Sequence, residues 1–180
     1  MDEPLDEVTA AALRARRGDR AAATAFVQAT QSDVWRACVN LGSRASADDL
    51  TQETYARAFA SLHRFVGRSS ARTWLLSIAR RVCADAVRTA VRDRAATTEA
   101  SGPAADHAES VALRAMLDAI DADRREAFVL TQLVGLSYAE AADVCNCPVG
   151  TIRSRVARAR AELVDQFGQD DLRERTSRIT

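Results

Sequence analysis

Two cysteines one residue apart, Cys145 and Cys147, then Pro148, Gly150 and arginines at 153, 155, 158 and 160 make "CNCPVGTIRSRVARAR" the stretch of this chain with most capacity for chemistry. The thiols suggest a metal; the guanidinium groups suggest phosphate or bases. A structural zinc site wants four ligands in paired spacing such as C-x₂-C. Here the spacing is C-x-C, and His63 and His107 lie far away in sequence. The cysteines read as small buried residues in a turn between helices, with no metal and no other cofactor expected. No Ser-His-Asp, Cys-His or metal–carboxylate constellation stands out either, so catalysis is not expected of this chain.

The arginines read differently once they are placed on a helix. At about 100° per residue, Val149, Ile152, Val156, Ala159 and Leu163 share one sector, which assigns that side to the core. Gly150, Thr151, Ser154 and Arg158 then face the other way, with Arg153 and Arg155 on the flanks and Arg160 nearer the apolar edge. Solvated helix surfaces usually mix charges in i, i+4 pairs, but no acid interrupts this face before Glu162. Upstream, Ser137 precedes "YAEAADV" with Glu140 at the third helical position, a capping box. A capped helix, a short turn and a second helix exposing small and basic residues have the form of a helix-turn-helix, whose second helix enters the major groove. Small residues admit the backbone, Thr and Ser reach phosphate or base edges, and arginine binds guanine or phosphate.

The elements that must carry this face are helical throughout. Ala, Leu, Arg and Glu dominate in three- and four-residue patterns, and β-branched or aromatic runs are sparse. The fold class expected is all-α. A first helix is expected near Ala10 to Arg17, ending at Gly18. A second opens at Asp19, carries Phe26, Val34, Trp35 and Cys38 on its apolar face, and ends near Leu41-Gly42. Ser46 reads as the N-cap of a third, which has Asp48, Asp49 and Glu53 near its positive end and buries Leu50, Phe59 and Leu62 beside Tyr55. "HRFVGRSS" breaks it. The next helix, about Ala71 to Val91, repeats Trp74, Ile78, Val82 and Ala86 as its buried stripe.

From Asp93 to about Ser110 the large apolar residues give way to Ala, Thr, Ser, Gly and Pro, as in a flexible tether. Helices are then expected at Val111 to Ile120 and Arg124 to Val134, with Gly135 closing the second. Pro148 suits the first turn of a last helix running to about Phe167. The organisation expected is a domain over 1–92, a linker over 93–110, a second domain over 111–170 and a polar tail over 171–180.

The chain has 180 residues, 47% of them hydrophobic, and 25 basic residues against 25 acidic ones. Nucleic-acid binding must therefore come from local clustering and not from a global field. No apolar run approaches the roughly 20 residues of a membrane helix, and "MDEPLDEV" does not read as a secretory signal. Four scattered cysteines argue against a disulfide scaffold, and a cytoplasmic protein is expected.

In this arrangement the chain resembles the extracytoplasmic-function family of RNA polymerase sigma factors. "GLSYAEAADVCNCPVGTIRSRVARAR" is similar to region 4, which recognises the minus-35 promoter element. "SADDLTQETYARAFASLHRF" with "SSARTWLLSIARRVCADAVR" is similar to region 2, which binds the polymerase core and opens the minus-10 element. The resemblance implies minus-35 contacts at Pro148, Gly150, Thr151, Arg153, Ser154, Arg155 and Arg158. It implies core-binding residues at Asp48, Asp49, Leu50, Gln52, Glu53 and Thr54, meeting a coiled coil of the largest polymerase subunit, with the flap region as a second polymerase contact. The loop Phe65 to Ser70 and the helix behind it are implied to hold the unpaired minus-10 strand, with Arg64, Arg68, Ser69, Arg72, Arg80, Arg81 and Arg88 supplying a surface of the kind that captures single strands. Partners implied are the polymerase core, duplex and single-stranded promoter DNA, and an anti-sigma factor. The chain departs from the family pattern at Arg81, where asparagine is common, at Ala71, where an aromatic often stands, and at Ala122-Asp123 in place of Leu-Pro. Two other readings compete: a regulator that binds an operator without polymerase, and a helical adaptor that binds only proteins.

Overall fold

The computed structural model describes residues 5–96 and 115–177, and every regular element among them is helical. The expected tether lies outside the described residues from 97 onward, as do the first residues of the helix expected from Val111. The chain divides into two compact units, with the change-over between Gly102 and Pro103.

The first unit packs α1 (Glu7–Ala15), α2 (Arg20–Leu41), α3 (Ala47–Ser61), a 3₁₀ turn (Leu62–Arg64) and α4 (Ala71–Ala96). Helix α1 starts at Glu7 and not near Ala10, because the Asp6 carboxylate accepts the Thr9 N–H at 2.9 Å and caps it. Asp19 does the same for α2 through the Ala22 N–H at 3.0 Å. Ser46 stands at the N-cap of α3 but makes no capping bond; its hydroxyl lies 2.6 Å from that of Ser43. Asp48 and Asp49 in the first turn then favour the helix dipole without help from a cap.

The buried side of α4 is Ala71, Leu75, Ala79, Val82 and Cys83, with Leu76 and Ile78 beside them. Trp74 and Ala86 are half-buried at its margin. A strict four-residue repeat drifts by about 40° per step around an α-helix, so the stripe from Trp74 to Ala86 does not stay on one side. Trp35 (37% exposed) and Phe59 (41%) also lie outside the core. Phe59 instead meets Tyr55 and the edge of Phe26, with centroids 6.4 and 6.5 Å away. Burial pushes the Tyr55 phenol above its ordinary pKa. The Cys38 thiol, buried beside Cys83, is drawn down chiefly by their hydrogen bond, against the rise that burial causes.

Gly42 closes α2. A Cβ there would collide with Leu50 Cδ1 and stand 2.8 Å from the Cys38 carbonyl oxygen. Because one of these neighbours is backbone, Gly42→Ala should destabilise this unit by about 1–3 kcal/mol, read as a lower midpoint of urea unfolding.

The second unit contains α5, described over 115–119, α6 (Ala122–Phe128), a π-helical turn (Val129–Leu133), most of α7 (Tyr138–Cys145) and α8 (Val149–Ser177). Asp121 caps α6 by accepting the Asp123 N–H at 3.1 Å, so the helix starts at Ala122 without the family's proline. Gly135, at φ 81°, turns the chain after the π turn. Met116, Leu117, Ile120, Ala159 and Leu163 form a buried cluster, with Phe128 and Leu133 packed against it. Helix α8 continues past Phe167 to Ser177; this stretch has no proline, and its one glycine, Gly168, costs about 1 kcal/mol.

Candidate nucleic-acid interface

Helix α8 is aimed by what precedes it. The Ser137 N–H donates to Glu140 Oε2 at 2.8 Å and the Glu140 N–H donates to Ser137 Oγ at 3.2 Å, the reciprocal capping box expected for α7. At its far end Asn146 takes φ 51°, and the Cys147 N–H donates back to the Ala142 carbonyl at 3.0 Å. This left-handed cap explains the C-x-C spacing: Cys145 packs inward, the residue between the thiols reverses the chain, and Cys147 starts the approach to α8. None of the four cysteines forms a disulfide among the described residues, and no group of three or more His, Cys, Asp or Glu that could hold a metal occurs among them.

Ile152, Val156, Ala159 and Leu163 are buried as the helical wheel requires. Val149 is not: 40% exposed at the first helical position, it lies before the packed turns begin. Pro148, Gly150, Arg153, Ser154 and Arg158 are exposed and Thr151 is half-exposed. A Cβ on Gly150 would meet nothing within 4 Å, so its surface is open to an approaching backbone. Ser154 Oγ donates to the Thr151 carbonyl at 2.9 Å. Arg155 departs from the expected face. Its guanidinium forms an ion pair with Asp123 and approaches Cys147 Sγ at 3.9 Å, which ties α8 to the start of α6. Arg160 donates to Gln132 Oε1 at 2.7 Å, and Arg124 pairs with Glu162. The outward cations on this face are thus Arg153 and Arg158.

In the first unit, Asp48, Asp49, Gln52 and Glu53 are exposed on α3, while Leu50 and Thr54 are buried. Thr54 Oγ1 donates to the Leu50 carbonyl at 2.7 Å inside the helix. These two side chains therefore hold α3 in place and present nothing to a partner. Asp48 accepts the Trp35 indole N–H at 3.0 Å, and Arg44 lies over the Trp35 ring at 5.9 Å. Glu53 is held by Arg57 at 2.6 Å, and Arg57 reaches Asp85 on α4 at 2.9 Å. The Arg57 hydrogen bond is the main reason the Asp85 carboxyl lies below its ordinary pKa.

Of the arginines expected to line a single-strand surface, Arg64, Arg68 and Arg81 are exposed. Arg72 is bound to Asp33 at 2.7 Å and Arg88 pairs with Asp85. Arg80 and Ser69 are half-buried. Trp74 tilts against Phe65 at 4.9 Å between centroids, behind the loop, and Val66 at the loop surface is exposed.

The comparisons fit these two units. Residues 26–93 match the family model for Sigma-70 region 2, and residues 110–163 match that for Sigma-70, region 4. The chain is 52% identical over 176 residues to the ECF RNA polymerase sigma factor SigC of Mycobacterium tuberculosis, covering 93% of this chain and 95% of that protein. This chain belongs to the extracytoplasmic-function sigma factors. A second relative in that family, EcfG of Rhodopseudomonas palustris, is 37% identical over 145 residues, covering 72% of this chain and 80% of its own length. Among solved structures, CnrH in complex with the cytosolic domain of CnrY superposes with a TM-score of 0.77 at 27% identity, covering 92% and 99% of the two chains. RpoE of Bartonella quintana, in complex with the anti-sigma factor NepR, gives 0.72 at 28%, covering 81% and 96%.

This sigma factor is therefore a non-enzymatic subunit that directs RNA polymerase in transcription initiation, with polymerase and promoter DNA as its partners. No described helix is long and apolar enough to cross a membrane. Trp35 and Arg44, which sequence periodicity placed in the core or passed over, border the acidic surface of region 2; the signal available for them was only their closeness in sequence to the Asp48-Asp49 motif.

Proposed function

We propose that region 4, residues 111–170, reads the minus-35 element with α8 in the major groove, using Gly150, Thr151, Arg153, Ser154 and Arg158. Pro148 sits at the entry to that helix. The observation that carries this reading is the outward face of α8, on which the exposed Arg153 and Arg158 meet no acidic partner among the described residues while Arg155 anchors the helix to α6. Region 2, residues 1–92, engages the coiled coil of the largest polymerase subunit through Asp48, Asp49, Gln52 and Glu53, carboxylates and an amide suited to basic side chains. The loop Phe65 to Ser70 receives the unpaired minus-10 strand, with Arg64, Arg68 and Arg81 supplying charge along its backbone. Capture of unstacked bases then offsets an opening cost of a few kcal/mol per base, by analogy with base-flipping proteins.

The relatives solved as complexes, one of them with an anti-sigma factor, support a protein inhibitor for this chain too. Val87 and Val91, exposed one turn apart on α4, offer it apolar contacts. Residues 97–110 join the two regions, since α4 runs on to Ala96 where the linker was expected from residue 93, the polymerase flap receives region 4, and the whole acts in the cytoplasm.

The test is run-off transcription with purified core polymerase on genomic fragments. Defined start sites are expected only when this chain is added, with binding that weakens steeply as salt rises. A duplex shift by the chain alone, with no polymerase requirement, would instead mark an operator-binding regulator.

A further inference from the structure

Helix α1 precedes the segment matched by the region 2 model, which begins at residue 26, yet it holds both ends of the loop Phe65 to Ser70. At the near end, Arg16 Nη1 donates to the Phe65 carbonyl at 3.0 Å. At the far end, the Ala71 N–H, the first of α4 and so without a helical acceptor, donates to Thr9 Oγ1 at 2.8 Å. The Thr9 hydroxyl is itself oriented by donating to Asp6 Oδ2 at 2.6 Å, and Thr9 is 1% exposed. Between these ends Gly67 turns the chain at φ 77°, and a Cβ there would come within 3.6 Å of Leu13 on α1. Phe65 is buried against Trp74, while Val66 and Arg68 point to solvent.

We infer that α1 is the brace that fixes this loop in its strand-receiving shape, with Thr9 and Arg16 as its positioning residues. The two bonds span 62 and 49 residues of sequence, so nothing local to the loop supplies them. A loop held at both ends loses little conformational freedom when it takes up a strand, which is where preorganisation gains affinity. Exposed Arg68 and Val66 touch the strand; Thr9 and Arg16 act only through the backbone behind them. This inference rests on reading the loop as the minus-10 receiver.

The experiment uses holoenzyme assembled from core polymerase and the full chain, on a promoter selected by run-off transcription. It measures affinity for a labelled single-stranded oligonucleotide carrying the minus-10 non-template sequence, together with core affinity and thermal unfolding of the free chain. Thr9→Val combined with Arg16→Met should weaken strand binding roughly tenfold, the scale of leaving such backbone groups unpaired, with core affinity unchanged. Thr9→Ser, which keeps the hydroxyl, should restore strand binding when placed with native Arg16. If the double variant binds the strand normally while Arg68→Ala does not, the brace is wrong and the loop reading stands. Normal binding by both overturns the loop reading and the brace with it. A loss of strand binding that tracks core affinity and melting temperature would reduce α1 to a general stabiliser and would also overturn the inference.

Discussion

Replacing Arg153 and Arg158 together by alanine should cost about 2–6 kcal/mol of minus-35 recognition, at about 1–3 kcal/mol for each base-reading contact. Both side chains are exposed, Arg158 on the face of α8 opposite Val156 and Arg153 on the flank of that face, so the change removes charge and hydrogen-bond donors without opening the core. The measurement is run-off transcription by reconstituted holoenzyme on a native promoter and on one with a scrambled minus-35 element. Wild-type protein separates the two; the double variant should treat them alike. Arg155→Ala should behave differently. Its guanidinium is already committed to Asp123 and Cys147, so its loss should loosen α8 and weaken binding to both promoters without equalising them. A double variant that still prefers the native element would remove α8 from the reading role, and with it the helix-turn-helix argument.

The difference between these arginines marks where sequence stops informing. Helical periodicity gives the direction in which a side chain leaves its own helix, and for α8 that direction was right for Ile152, Val156, Gly150 and Ser154. It carries no information about which carboxylate arrives from elsewhere. Arg155 meets an acid 32 residues away, Arg72 one 39 residues away. Several departures in region 2 have the same origin. Trp35 leaves the core because Asp48 offers its indole a partner, Arg72 is taken by Asp33, and Arg88 by Asp85. The stripe through Trp74 differs, since it came from a repeat whose period is not that of the helix.

Caps were legible because their chemistry is local. Asp19, and Ser137 with Glu140, hold helix starts through bonds between residues three apart. Asp6 with Thr9 carries the same signal and would have placed the start of α1 correctly. Ser46 shows the limit of such signals: its hydroxyl had a nearer competitor in Ser43. The brace from α1 to the loop was beyond reach, since an arginine meeting a carbonyl and a buried threonine meeting an N–H leave no spacing to detect.

Ile152→Ala should destabilise the second unit by about 2–5 kcal/mol, the usual range for emptying a fully buried aliphatic site. Ile152 is 0% exposed, one turn from Val156 and two from Ala159, so the missing carbons lie where α8 is seated and not on its outward face. A domain of this size has roughly 3–9 kcal/mol to lose at about 0.05–0.15 kcal/mol per residue, and a change of 2–5 leaves α8 folded for only part of the population. Thermal unfolding of the full chain should show the transition of this unit moved down, while core binding, proposed above to draw on α3, stays close to that of wild type. Minus-35-dependent transcription should fall with the folded fraction and recover at lower temperature. Ile152→Val removes one methylene and should cost only about 0.5–1.5 kcal/mol. Temperature thus separates two ways of losing the same promoter element: cooling rescues a helix that has come unseated, and it cannot restore the guanidinium groups missing from Arg153→Ala with Arg158→Ala.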